Sequence, residues 1–284
     1  MIKFGAHAFS WESDWTTATL QRVIGYAADA GLDFIEIPLL RPGEFEAAEH
    51  RALLEERGLA AVCSLSLPKW AHMPTHPHEA ERFLSSVLDR MEQLGSHYLT
   101  GCTAYALGVL TGAPPTPGEY AVIAETLTRV AEDAKRRGVV MGLEACNRYE
   151  TYLFNTLADV SGFIDGLDTD NLHVHADTYH MNIEEEGFRA ALIGAGQRLQ
   201  FIHMSESHRG LVGTGNVHWE EVWAGLAAIQ FSGYLTLESF AAPNADLAAA
   251  TCIWKPARYS GQQLAEGGLK FLRAGAIKSG LMEG

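Results

Sequence analysis

The sequence predicts an α/β fold, a single (β/α)8 TIM barrel spanning residues 1–284, and three observations carry that expectation. Short apolar runs rich in Val, Ile, Phe and Leu alternate with polar loops and segments of helical periodicity. Strict strand–helix alternation implies parallel strands, because a parallel neighbour is reached only through a crossover, usually helical. Eight such pairs fit within 284 residues, which is the arithmetic of a closed barrel. An open doubly wound sheet is the rival, and it would carry a GxGxxG turn after its first strand. His7-Ala8-Phe9-Ser10-Trp11 stands there instead.

The first strand is read in IKFGAHAF, followed by the amphipathic TTATLQRVIGYAADAG, whose last glycine stops a helix as a C-cap. FIEIPL supplies the second strand and AAVCSLSL the third. A loop then places His72, His76 and His78 among prolines, where they are expected to face solvent, before the helix HEAERFLSSVLDRMEQLG. HYLTGCTA is the fourth strand, and PPTPG leads into PGEYAVIAETLTRVAEDAKRRG with Pro117 near the first helical turn. VVMGLEA, LHVHADT, LQFIHMSE and YLTLESF complete the set.

A chain that is 47% hydrophobic and 20% charged can bury a full core. Its formal charge of -14 repels nucleic-acid phosphates and anionic membrane surfaces alike. Cys63, Cys102, Cys146 and Cys252 lie far apart with no CxxC pair, so neither a disulfide framework nor a thiolate zinc cluster is indicated. A cytoplasmic, reducing setting is expected. The N-terminal MIKFGAHAFSWESDW has no apolar run behind a basic cap, and the chain nowhere holds the roughly 18 apolar residues of a membrane span.

In a β/α barrel the reactive groups sit where strands give way to their following loops. There the fifth to eighth runs hold Glu144, Asp177, His203 and Glu238. Three converging carboxylates repel one another and lose hydration, and a divalent cation is the economical way to stabilise them. Oxygen donors with one imidazole form a mostly hard set, which suits Mn2+ first, with Mg2+ or Co2+ as alternatives, and argues against a closed structural zinc site. The bland reading is a hydrogen-bonded polar rim. Glu150, His180 and Arg209 follow in the loops, suited to hold the hydroxyls and carbonyl of a small polyol, although Glu150 and Arg209 read equally as a structural ion pair. His7 is a pocket candidate, and Trp11 and Trp15 either line an apolar wall or pack beneath the loops.

LEACNRYETYLFNT, HADTYHMNIEEE, HMSESHRGLVGTGN and LTLESF resemble segments of the ketose 3-epimerases, the D-tagatose, D-allulose (D-psicose) and L-ribulose enzymes of the xylose-isomerase-like barrels. The resemblance implies metal binding by Glu144, Asp177, His203 and Glu238, and substrate contacts from Glu150, His180 and Arg209. It also implies free ketoses as substrates and a homodimer or homotetramer. Inverting carbon 3 beside a carbonyl needs a base on each face, and Glu144 and Glu238 are placed to exchange the proton through a cis-enediolate. An aldose–ketose isomerase, a metal-dependent endonuclease and a non-catalytic sugar-binding barrel are the rivals. The negative charge and the single rim set argue against the endonuclease.

Overall fold

Each apolar run becomes a strand: β1 (Lys3–His7), β2 (Phe34–Pro38), β3 (Ala60–Ser66), β4 (Tyr98–Cys102), β5 (Val140–Glu144), β6 (Leu172–Asp177), β7 (Leu199–Met204) and β8 (Tyr234–Leu237). A computed structural model describes residues 1–13 and 16–283, and in it every strand pairs in parallel with the next while β8 returns to β1. The barrel is closed, so the sheet has no free edge.

The helices lie outside: α1 (Thr17–Asp29), α2 (Ala47–Arg57), α3 (Pro77–Leu94), α4 (Pro117–Arg136), α5 (Leu157–Asp165), α6 (Thr178–Glu184), α7 (Phe188–Ala195), α8 (Trp219–Ala228), α9 (Ala245–Thr251) and α10 (Gly261–Lys278). Their ends follow local chemistry. In α1 the Thr16 hydroxyl caps the Thr19 amide, and Leu20, Val23, Ile24 and Ala27 recur at helical spacing on the buried face. Pro117 opens α4 behind a Thr116–Glu119 capping box.

Near the strand starts, Phe34, Val62, Tyr98 and Phe201 pack together with Val140 and Tyr234 and plug the barrel. Burying each such ring contributes about 2–3 kcal/mol. This apolar floor leaves the opposite end, where the strands finish, as the polar one. His76 and His78 face solvent as expected, but His72 does not. A short turn over Lys69–Ala71 folds it inward, where its Nδ1 accepts the Ala106 amide at 3.2 Å. Among the described residues no helix is long and apolar enough to cross a membrane.

Candidate active site

Glu144 and Asp177 end β5 and β6, His203 is the penultimate residue of β7, and Glu238 follows β8 directly. Parallel register sets Asp177 beside His203, so residues far apart in sequence arrive at one level of the rim. The His203 Nδ1 lies 3.6 Å from Glu144 Oε1 and 3.7 Å from Glu238 Oε1. Asp177, His203 and Glu238 also present ligand atoms within 4.8 Å of one another.

Behind His203 stands Glu36, at the centre of β2, with no exposed surface. Its two oxygens lie 3.0 and 2.9 Å from His203 Nε2. Burial works against the Glu36 carboxylate, yet His203 and then His7 hold its pKa below the usual range. Glu36 therefore fixes the proton of His203 on Nε2 and turns Nδ1 toward Glu144 and Glu238, where that buried nitrogen has no hydrogen-bond partner among the described residues. A buried orphan nitrogen facing carboxylates fits a hard divalent cation. Burial also opposes charge on His203, but Glu36, Glu238 and Glu144 raise its pKa well above the usual value, so a cation at Nδ1 would take the place of a proton.

Arg209 lies across the other side. Its Nη1 donates to Asp177 Oδ2 at 2.7 Å and to Glu238 Oε2, and its guanidinium stacks 3.8 Å above the Tyr179 ring. Its backbone is left-handed at φ 57°, held between the Glu206 carbonyl (2.8 Å) and the Phe240 amide (3.2 Å). Such a conformation costs a non-glycine residue about 1–3 kcal/mol, which the ion pairs and stacking offset.

His180 sits on a helix rather than in a loop. Asp177 both ends β6 and N-caps α6 by accepting the Tyr179 amide, so the chain turns straight into a helix with His180 in its first turn. The His180 Nδ1 accepts the Asn147 backbone amide at 3.2 Å, and the Asn147 side-chain nitrogen lies 2.8 Å away. An imidazole nitrogen that accepts a backbone N–H carries no proton, so the neutral ring bears it on Nε2, 3.6 Å from Asp177 Oδ2. Burial pushes its pKa down to about 3. Asn147 also donates to Glu150 Oε1 at 2.9 Å, which couples Glu150 to His180.

A cavity of about 470 Å³ opens over these groups, with His7, Glu144, Glu150, His180, His203, Arg209 and Glu238 in its wall. His7 points its Nε2 at Glu36 Oε1, 3.7 Å away, and stands beside the cluster. Trp11 packs against Gly261 at the start of α10, beneath the loops. Trp15 lies outside the described residues. Glu36 and Asn147 were not singled out in the sequence; the only local sign of Glu36 is a charge in the middle of the apolar FIEIP.

The glycine-rich stretch after β7 is organised by Glu206, which is completely buried. Its Oε1 accepts the Ser207 and Val217 amides at 2.9 and 3.1 Å, and its Oε2 accepts the Gly213 amide and the Trp219 indole N–H at 2.9 and 3.0 Å. Gly213 has φ 81°, and a Cβ on Gly215 would stand 2.5 Å from Glu206 Oε1, so these two glycines are required by conformation and by close approach. Burial alone would raise the Glu206 pKa, but the four donors lower it. Its contribution to stability is therefore present above the unfolded pKa, near 4.5, and is lost as pH falls through the lower folded value. Glu206→Gln turns an amide NH2 toward those donors. It is expected to destabilise the protein by about 2 kcal/mol and to abolish this acid-side component in thermal melts run at several pH values. An unchanged melt would show that the loop does not depend on the carboxylate.

The xylose isomerase-like TIM barrel family model matches residues 24–274. An L-ribulose 3-epimerase of Methylomonas sp. is 36% identical over 278 residues, covering 96% of this chain and 97% of the relative. The crystal structure of a D-allulose 3-epimerase from Methylomonas sp. in complex with D-allulose is 35% identical and superimposes with a TM-score of 0.92, covering 96% of both chains. A solved L-ribulose 3-epimerase gives a TM-score of 0.93 at 30% identity, over 98% of this chain and 96% of that one. With this barrel and likeness extending over nearly its whole length, the chain belongs to the ketose 3-epimerases of the xylose isomerase-like TIM barrel family, carbohydrate-acting isomerases.

Proposed function

We propose that the protein is a divalent-metal-dependent ketose 3-epimerase acting on free ketoses, within the set D-fructose/D-allulose, D-tagatose/D-sorbose and L-ribulose/L-xylulose. The observation that carries this reading is the approach of Glu144 and Glu238, from non-adjacent strands, to the unpartnered Nδ1 of His203. Relatives named for L-ribulose and D-allulose support the substrate class.

Epimerisation removes the carbon 3 proton from one face and returns one to the other, so it needs two acid–base groups. Burial pushes Glu144 up to about 7. Burial would raise Glu238 as well, but Arg209 and then His203 overcome it and hold its pKa at about 2. Burial thus favours the neutral form of Glu144 while Arg209 and His203 favour the ionised form of Glu238, so the two carboxyl groups sit in unlike environments. Glu238 takes the proton in one direction and Glu144 returns one; the roles reverse for the back reaction.

Glu144, Asp177, His203 and Glu238 would hold the cation, Mn2+ first with Co2+ or Mg2+ as alternatives, and when bound it supplies Lewis-acid polarisation of the ketose carbonyl. Arg209 and the Nε2–H of His180 donate to the substrate oxygens where enediolate charge develops, and Glu150 accepts from a hydroxyl. His7 completes the proposed pocket wall. Trp70, Leu110, Tyr149 and Trp254, exposed on the strand-end loops, supply apolar surface for the homodimer or homotetramer, which size-exclusion chromatography reads.

Incubating the Mn2+-loaded protein with D-fructose, D-tagatose and L-ribulose, followed by chromatography, is expected to yield the 3-epimer without aldose. Aldose without epimer would establish an isomerase, and neither product a sugar-binding barrel. Arg209→Ala is expected to lower kcat/KM by about 10²-fold; an unchanged value removes Arg209 from the reaction.

A further inference from the structure

We propose that Cys102 and Cys146, together with Glu144, form a second cation site that takes a thiophilic divalent ion such as Zn2+ or Cd2+, and that filling it withdraws Glu144 from catalysis. The two cysteines are 44 residues apart in sequence, yet their sulfurs stand 3.6 Å apart because β4 and β5 are parallel neighbours. Cys102 Sγ lies 4.0 Å from Glu144 Oε2, and the three ligand atoms are all within 4.8 Å of one another. Both thiols are buried in the protein but line the cavity, so an ion reaches them through the substrate's own entrance.

The spacing matches tetrahedral zinc. Zn–S bonds of about 2.3 Å set two sulfurs about 3.8 Å apart, and a Zn–O bond of about 2.0 Å sets sulfur and oxygen about 3.5 Å apart. The sulfurs already meet the first requirement closely, and a small rotation of Glu144 meets the second. Glu150 and His180 also group with Cys146, their ligand atoms within 4.8 Å of one another, and offer a fourth ligand. As each metal–sulfur bond forms, the thiol releases its proton to solvent.

The two neighbouring sites differ in chemistry. Oxygen donors with one imidazole favour Mn2+ or Mg2+, whereas two thiolates favour Zn2+ or Cd2+. Glu144 bridges them, with Oε1 toward His203 and Oε2 toward Cys102. The inhibitory consequence rests on the epimerase reading, in which Glu144 exchanges the proton; the binding of the ion does not.

The test is equilibrium dialysis of the Mn2+-loaded protein against CdCl2 without ketose, comparing wild type with the C102S/C146S variant, which keeps Cys63 and Cys252. Wild type is expected to bind one more Cd2+ per chain and to show thiolate-to-cadmium charge-transfer absorption that the variant lacks. Equal stoichiometry and equal absorption would overturn the site whatever the protein's activity. In parallel, each protein is assayed for 3-epimerisation with and without Cd2+. Wild type is expected to lose at least about tenfold in rate, and the variant to keep most of its own cadmium-free rate. Extra cadmium with no loss of rate would overturn the withdrawal of Glu144. Should the double variant not fold, C146S alone carries the same comparison.

Discussion

Glu144→Gln and Glu238→Gln are each expected to lower kcat for 3-epimerisation by about 10³-fold or more while leaving the far-ultraviolet circular dichroism unchanged. Each substitution removes one of the two proton carriers and also weakens the donor set around His203. Neither opens a cavity, because an amide fills the volume of the carboxyl group it replaces. The two variants are not equivalent, since Arg209 donates to Glu238 and not to Glu144. Glu238→Gln removes one of the two carboxylates paired with Arg209, leaving Asp177. The guanidinium is thus freer to move, so Glu238→Gln should also raise KM, whereas Glu144→Gln should act mainly on kcat. Near-normal turnover in either variant would sink the two-carboxylate scheme.

Glu36→Gln is expected to weaken Mn2+ binding by about 10- to 100-fold, although Glu36 is not in the proposed set of metal ligands. The carboxylate only accepts, so it holds the His203 proton on Nε2; an amide can donate to Nε2 instead and move the ring proton to Nδ1. Nδ1 is the nitrogen that faces Glu144 and Glu238. A neutral ring whose single proton sits there must return it to Nε2, against the amide donor, before Nδ1 can ligate. Titration calorimetry with MnCl2 reads the affinity, and 15N NMR of the histidine rings reads the tautomer. Unchanged affinity with the proton still on Nε2 would show that Glu36 only fills space.

All the strands were legible because their signals are local: a short apolar run, a polar end, and a glycine or threonine that stops or starts the next helix. Glu144, Asp177, His203 and Glu238 stood out for a related reason, since a charge at the end of a buried strand has few structural uses. Glu36 escaped because its meaning depends on His203, 167 residues away, and only barrel closure brings them together. The Cys102–Cys146 pair was hidden the same way: wide spacing in sequence says nothing about neighbours on adjacent strands. His180 was read in a loop because the helix that carries it is short and begins directly at the strand's last residue, with no polar linker to mark the change. The inward turn of His72 likewise left no mark among its neighbouring prolines.

The carboxylate of Glu206 has a further consequence for what the loop after β7 can offer a ligand. Barrels that handle phosphorylated substrates commonly seat the phosphate on backbone amides of the loops after the seventh and eighth strands. In this protein the amides of Ser207, Gly213 and Val217, in the loop after β7, are already bound to a fixed negative charge from the same chain. A phosphoryl group arriving there would meet an anion where it needs donors. The loop that looks most like a phosphate cradle thus has its amides spoken for by a carboxylate of its own chain.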